Sequence, residues 1–254
     1  MSKNFELMQE MLRDAGGARE ATPAPSPFLF PGIAIARAFR RGSRGFDHHA
    51  QEECLKLVQR VFLTQPATSK VIVFAAIDQG GGCSRICAET ARILAANISS
   101  SVCVVDADFR TPSLAEYFAI PNHRGLSNCL REDGRIIEFA KQLKPSNLWL
   151  LSAGASAVGS PSLLNSERLK ERLKELRQEF NYVLIDAPAL NLHADAITMA
   201  RNADGVVIVL KADSTRRESA LSALDSLRQA NVEVLGAVLN RRTFPIPGFL
   251  YCRL

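Results

Sequence analysis

Apolar and polar residues follow two alternating patterns along the chain from Lys70 onwards. Short β-branched apolar runs predict strands at 70–77, 100–106, 147–152, 181–186, 204–210 and 233–239. Helical spacing of apolar residues predicts helices near 84–97, 111–119, 125–142, 162–179, 191–201 and 214–229. Several strands are apolar throughout, as in a parallel sheet that is covered on both faces. We therefore expect an α/β fold with a doubly wound, mostly parallel sheet and helices on both faces.

The chain before this region has a different pattern. At the N-terminus, apolar residues at helical spacing predict a short amphipathic helix. It is followed by a stretch rich in Arg, Pro, Gly and Ala, which is typical of a flexible linker rather than a core element. The helical period then returns over residues 50–63. The predicted organisation is an N-terminal helix at 1–15, a linker at 16–49, a P-loop-type domain at 50–243 and a tail at 244–254.

Composition limits the class of protein. The 254 residues are 47% hydrophobic and 22% charged, which excludes a disordered or collagen-like chain. The longest apolar runs are far shorter than the roughly 20 residues that span a bilayer. The first twenty residues mix acids and bases, so we expect no secretory signal and a cytoplasmic protein with reduced cysteines. The net charge of +5 is mild, and no nucleic acid partner is expected.

Three consecutive glycines lie between the first predicted strand and a helix. The segment reads Asp78-Gln79-Gly80-Gly81-Gly82-Cys83-Ser84-Arg85. Glycines permit unusual dihedral angles, which lets backbone N–H groups surround an anion at the start of a helix. In the usual phosphate loop, G-x-x-x-x-G-K-[ST], Gly82 and Ser84 fit, whereas Ile77 replaces the first glycine and Cys83 the lysine. The motif alone leaves a phosphate loop and a tight structural turn open.

Polar residues also follow three later strands. Asp106 and Asp108 are predicted on one face, where they can hold hydrated Mg²⁺ or accept a proton. The alternative is a helix N-cap and a solvated acid, because residues 111–113 begin a helix. Asp186 has the arrangement of a Walker B acid, with an ordinary turn as the alternative. Asn240 either reads an adenine edge or closes a turn.

The order of these signals resembles the bacterial tyrosine kinase (BY-kinase) family, cytoplasmic P-loop kinases of capsule and exopolysaccharide export within the deviant-Walker ATPases. The most specific part is VVDADFRTPSLAEYFAIPNHRGLSNCL at 104–130, which is similar to the second Walker motif of the family and the G-L-S-x-x-L segment that follows it. Further matches are GSPSLL at 159–164, IDAP at 185–188 and ADGVVIVLKADSTRR at 203–217. The resemblance implies transfer of the γ-phosphate of ATP to tyrosine, with ATP or ADP and Mg²⁺ as cofactors.

The resemblance also implies roles for single residues. The positions that match the cofactor-binding residues of the family are Gly80, Gly81, Gly82, Ser84 and Asn240, the last on the adenine side. Cys83 and Arg85 complete the cofactor-binding loop: Cys83 stands at the lysine position, and Arg85 is the cation that could compensate for it. The matching catalytic acids are Asp106, the expected base, and Asp108. The matching metal ligands are Ser84, Asp108 and Asp186.

The chain departs from the family in several places. Cys83 stands where the lysine should be, and a neutral thiol supplies no positive charge for phosphates. A charge-assisted hydrogen bond is worth roughly 1.5–3 kcal/mol, so we expect nucleotide affinity to fall about 10- to 100-fold. The tail carries one tyrosine, Tyr251, in place of a cluster. In the oligomer-forming helix, Glu52 is followed by Leu55 and Val58 instead of arginines.

These features predict a BY-kinase-like protein of exopolysaccharide synthesis with an eroded nucleotide site, either a kinase or a regulatory pseudokinase. The implied partner is a separate membrane polysaccharide co-polymerase or chain-length regulator, which would recruit it to the inner face of the membrane; a homo-oligomer stays open. One alternative is a deviant-Walker positioning or partitioning ATPase, against which Ile77-Asp78-Gln79 counts, because that class needs a lysine early in the loop. The other is an interaction module without nucleotide.

Overall fold

The structure is a computed structural model that describes residues 34–37, 48–63, 70–155, 157, 161–165 and 167–241. The strands are β1 Ala34–Arg37, β2 Lys70–Ala76, β3 Val102–Asp106, β4 Lys141–Gln142, β5 Leu148–Leu151, β6 Tyr182–Ala187, β7 Gly205–Lys211 and β8 Val234–Asn240. The α-helices are α1 His48–Val58, α2 Cys83–Asn97, α3 Leu114–Tyr117, α4 Leu126–Cys129, α5 Glu167–Glu179, α6 Asp195–Ala200 and α7 Arg217–Gln229. Shorter turns of π- or 3₁₀-helix lie at Gln59–Leu63, Ile136–Glu138 and Pro161–Asn165.

The eight strands form one sheet in the order β1-β8-β7-β2-β6-β3-β5-β4. Each neighbouring pair is parallel except β4 with β5. The predicted fold class is therefore confirmed. Strand β2 lies between β6 and β7, so the loop that follows β2 opens between the carboxyl ends of central strands, where ligands of such sheets bind.

Alternate residues of β2 face two separate hydrophobic cores. Val71, Val73 and Ala75 pack with apolar residues of α5, α6 and α7 on one side of the sheet. Ile72 and Phe74 pack with residues of α1 and α2 on the other side. Because both faces of the strand are buried, the glycine loop starts from a rigid base.

The linker predicted at 16–49 is wrong at two places. Residues 34–37 form β1, which pairs in parallel with β8, Ala34 opposite Gly236 and Arg37 opposite Leu239. Residues 48 and 49 belong to α1. The short apolar run of β1 carries too little signal by itself, and it is the open edge of β8 that provides hydrogen bonds for it. The predicted helix at 1–15 and the tail at 244–254, with Tyr251, lie outside the described residues.

The long helix predicted at 125–142 is also wrong. Helix α4 ends at Cys129, and the segment continues through a 3₁₀ turn into β4. Gly134 adopts a left-handed φ of +131°, which ends helical continuation. The buried guanidinium of Arg172 donates hydrogen bonds to the carbonyl groups of Cys129, Glu132 and Gly134. This distant side chain stabilises an irregular path that the local pattern does not encode.

No helix of the described residues has both the length and the apolar character that a bilayer crossing requires.

Candidate nucleotide site

The glycine loop between β2 and α2 has a backbone that requires glycine. Gly80 and Gly82 have left-handed φ angles of +76° and +81°. A Cβ atom on Gly82 would lie 2.5 Å from the Nδ2 atom of Asn240, and one on Gly81 would lie 3.1 Å from the Cβ atom of Ala76. The loop therefore has the tight backbone that a phosphate-binding loop uses, and it ends at the start of a long helix.

The side chain of Asn240 is hydrogen-bonded to this loop. The side chain is buried, and its Nδ2 atom donates a hydrogen bond of 2.6 Å to the carbonyl oxygen of Gly81. Its Oδ1 atom accepts a hydrogen bond of 2.9 Å from the backbone N–H of Arg241. Both ends of the amide are engaged with the backbone. In the structure the Asn240 amide therefore contacts the backbone of the glycine loop, and neither end of it is left to bind an adenine ring.

Asp106 and Asp186 are buried opposite each other on neighbouring strands. The Oδ2 atom of Asp106 accepts hydrogen bonds from the backbone N–H groups of Ser113 and Leu114, at 3.1 and 3.0 Å, and so caps α3. Its Oδ1 atom and both carboxylate oxygens of Asp186 have no hydrogen-bond partner in the described part of the chain. Buried polar atoms without partners are uncommon in folded proteins, and they suggest that a ligand satisfies them.

Burial raises the pKa of both carboxyl groups. The pKa of Asp106 rises from 3.8 to about 7, mainly through loss of solvent and also through the charge of Asp108. The pKa of Asp186 rises well above its usual range, first through burial and then through the charge of Asp106. The Ser84 hydroxyl and the Cys83 thiol lie close enough to Asp186 to lower its pKa in part.

The residues present fit a magnesium ion that is bound together with phosphates. Mg²⁺ prefers oxygen ligands and is usually held by one or two carboxylates, waters and substrate phosphates. Asp186, Asp106 and the Ser84 hydroxyl offer such oxygens. No cluster of three or more His, Cys, Asp or Glu side chains suited to a metal occurs among the described residues. A metal at this site would therefore need oxygen ligands from a bound phosphate.

Asp108 lies at the wall of the cavity, whereas Asp106 lies behind it. The carboxylate of Asp108 accepts hydrogen bonds from the backbone N–H groups of Arg110 and Thr111, both 3.1 Å, and from the Thr111 hydroxyl at 2.7 Å. Asp108 lines the cavity, and Asp106 is fully buried at the start of α3. Since a general base must reach the proton that it removes, the geometry favours Asp108 over Asp106 for that role.

The cavity above the loop has a volume of about 600 Å³. Besides the glycine loop it is lined by Asp108, Arg110, Tyr117, Pro188, His193 and Arg241. Cys83, at the lysine position, is 8% exposed, and burial raises the pKa of its thiol well above the usual range, as does the charge of Asp186. The thiol is therefore neutral at pH 7. The sequence motifs do not single out Arg241, and its position directly after the end of β8 is the signal that the sequence offers for it.

The central parallel strand, the glycine loop before a helix and the acids after neighbouring strands define the P-loop class of nucleotide-binding proteins. A family model described as ATPase MipZ matches residues 70–225. A relative described as a tyrosine-protein kinase, CapB of Staphylococcus aureus, is 30% identical over 156 residues, which cover 59% of this chain and 68% of CapB. Tyrosine-protein kinase YwqD of Bacillus subtilis (strain 168) is 28% identical over 171 residues, 67% of this chain and 72% of YwqD.

Solved structures agree with these sequence matches. The crystal structure of the chimerical protein CapA2B2 is similar with a TM-score of 0.73 and 22% identity, covering 84% of this chain and 96% of that chain. At this identity the likeness supports the fold. Together with the sequence relatives, it shows that the chain belongs to the BY-kinase family within the deviant-Walker ATPases.

The buried acids predict an unusual dependence of stability on pH. The pKa of folded Asp106 is raised to about 7, so the folded protein binds this proton more tightly than the unfolded chain. Without Mg²⁺, the contribution of Asp106 to the unfolding free energy therefore falls as the pH rises from about 4 to 7. We expect Asp106→Asn, measured by denaturant unfolding with EDTA, to gain stability relative to the wild type between pH 5 and pH 8.

The matched control is Glu171→Gln, which removes an exposed carboxylate on α5. Its stability relative to the wild type should change little over the same range. An Asp106→Asn variant whose stability relative to the wild type is constant or falls with pH would contradict the assignment of a buried, protonated acid.

Proposed function

We propose that this chain is a cytoplasmic BY-kinase-like regulator of exopolysaccharide synthesis that binds MgADP or MgATP weakly and acts as a pseudokinase. The observation that carries the proposal is a backbone typical of a phosphate loop beside a neutral side chain at position 83. Gly80 and Gly82 keep left-handed conformations and Asn240 holds the loop, while a neutral thiol occupies position 83. The loop is built to hold phosphate, and the charge that drives phosphoryl transfer is missing.

The chain's own groups support binding more than transfer. Backbone N–H groups of the loop and the start of α2 attract phosphate oxygens, and these do not depend on the lysine. Ser84, Asp106 and Asp186 would hold Mg²⁺, which would supply positive charge for the phosphates. Transfer of the γ-phosphate depends strongly on positive charge at the transferring group. The absence of a lysine at position 83 therefore lowers the rate of phosphoryl transfer more than it lowers the affinity for nucleotide.

The side chains of helix α1 favour a regulator that acts through a partner protein over one that forms a ring of identical subunits. Val58 is fully buried and Leu55 is half-buried, at the two positions where the family has arginines. Apolar side chains that pack inward cannot form salt bridges to a neighbouring subunit. We therefore infer that a membrane chain-length regulator, and not a ring formed through α1, is the main partner, and that it recruits the chain to the membrane.

A second candidate is a positioning ATPase, which the match to the MipZ model favours. Such proteins dimerise across bound nucleotide by means of a lysine early in the loop. Here the corresponding segment, Ile77-Asp78-Gln79, has none, and Ile77 is fully buried. Light scattering decides between the two, because dimerisation that depends on MgATP would favour the positioning ATPase.

Calorimetric titration with MgADP and MgATP tests the proposal. We expect weak binding, about 10- to 100-fold weaker than in a loop that has the lysine, because a charge-assisted contact is missing. Adding EDTA should weaken binding further, since Asp186 would hold a metal that supplies positive charge for the phosphates. After incubation with MgATP, no phosphotyrosine should form at Tyr251. Absence of heat at millimolar nucleotide would favour the interaction module, and rapid formation of phosphotyrosine would show a kinase.

A further inference from the structure

Three arginine side chains line the cavity in the described part of the chain: Arg85, Arg110 and Arg241. The guanidinium of Arg110 forms an ion pair of 3.0 Å with the buried carboxylate of Asp195. Arg85 has its own interactions, and its charge acts on the neighbouring Tyr117. The side chain of Arg241 forms no hydrogen bond or ion pair with any described residue, so its charge is available to a ligand.

The backbone holds Arg241 beside the glycine loop. Arg241 directly follows β8 and has a φ of +59°, a left-handed conformation that costs energy for a residue with a side chain. Its N–H donates to the Asn240 Oδ1 atom, and Asn240 in turn contacts Gly81. The Nε atom of Arg241 lies 3.8 Å from the point that a Cβ atom on Gly82 would occupy.

Three carboxyl groups, those of Asp106, Asp108 and Asp186, lie near the loop, and position 83 carries a neutral thiol. A polyphosphate at the loop would meet these acids without a lysine at position 83, and Arg85 of α2 is engaged in interactions of its own. Guanidinium groups bind phosphate oxygens through paired hydrogen bonds, so an arginine that approaches from another strand can replace a lysine in this respect.

We propose that Arg241 supplies the positive charge for the phosphates of a bound nucleotide, from the end of β8, in place of the absent lysine. This proposal rests on the proposed function, because it assumes that the loop binds a polyphosphate. The strained backbone at Arg241 is then the cost of placing its guanidinium beside Gly82.

Arg241→Gly separates binding from stability. Glycine accepts the left-handed φ without strain, so the variant should melt at a higher temperature than the wild type. Its affinity for MgADP should nevertheless fall about 10-fold or more, because the guanidinium is lost. Arg241→Lys should keep part of the affinity. The matched control is Arg201→Ala, which removes an exposed arginine at the end of α6, outside the cavity.

Each variant is titrated with MgADP and with inorganic tripolyphosphate. If Arg241 contacts the phosphates, Arg241→Gly lowers the affinity for both ligands. A loss of affinity for MgADP alone would indicate a contact with the base and would overturn the proposal. Unchanged affinity of Arg241→Gly, with a wild type that binds, would overturn the proposal and leave the proposed function intact. A wild type that binds neither ligand would overturn both.

Discussion

Cys83→Lys is expected to bind MgADP about 10- to 100-fold more tightly than the wild type. The lysine ammonium would form charge-assisted hydrogen bonds to phosphate oxygens, worth roughly 1.5–3 kcal/mol. The site has room for it, because Cys83 lines the cavity of about 600 Å³. Its neighbour Asp186 has a buried carboxylate without a hydrogen-bond partner, which an ammonium group would satisfy.

A neutral variant of similar length separates charge from size. Cys83→Met extends the side chain into the same cavity without a charge, and its affinity for MgADP should not exceed that of the wild type. Calorimetry at constant Mg²⁺ measures both variants, and thermal melting confirms that they are folded. If a folded Cys83→Lys variant binds as weakly as the wild type, the missing lysine does not explain the weak site.

Gly82→Ala is expected to abolish detectable nucleotide binding and to destabilise the protein by about 2–5 kcal/mol. The left-handed φ of +81° costs roughly 1–2 kcal/mol for alanine. The added methyl group would lie 2.5 Å from the Asn240 Nδ2 atom and would displace its hydrogen bond to Gly81. Loss of a buried hydrogen bond costs a further 1–3 kcal/mol or so. Denaturant unfolding measures the first effect and calorimetry the second.

Gly80→Ala is the matched control for this prediction. Gly80 has a similar left-handed φ of +76°, but apart from its chain neighbours no atom of the described residues lies within 4 Å of the added Cβ. It should therefore lose only the roughly 1–2 kcal/mol of backbone strain and should keep measurable binding. Equal losses in the two variants would contradict the role of Asn240 as the support of the loop.

Much of the sheet was predictable because its strands are buried on both faces. The apolar runs of β2, β6 and β7 indicate buried strands, and the glycines after β2 mark a tight backbone there, with a phosphate loop and a structural turn both open. The acids at 106, 108 and 186 were found for the same reason, since each lies at or just after the carboxyl end of a buried strand. The local sequence pattern is sufficient to predict a strand when both of its faces are buried in apolar surroundings.

Features that depend on distant contacts were not predictable. The pairing of β1 with the edge of β8 and the path held by Arg172 both need partners far along the chain. For Asn240 the sequence left an adenine contact and a turn open, and neither anticipates the contact of its amide with a loop 159 residues earlier in the sequence. The different depths of Asp106 and Asp108 follow from the cap that Asp106 forms on α3, which only the folded chain shows.

A crystal structure of the wild type grown with excess MgADP tests most directly whether the loop binds phosphate without its lysine. We predict that the diphosphate lies against the backbone N–H groups of Gly80 to Ser84, with the Arg241 guanidinium beside it. A nucleotide-free loop at saturating MgADP, with side chains filling the space above Gly82, would contradict the account.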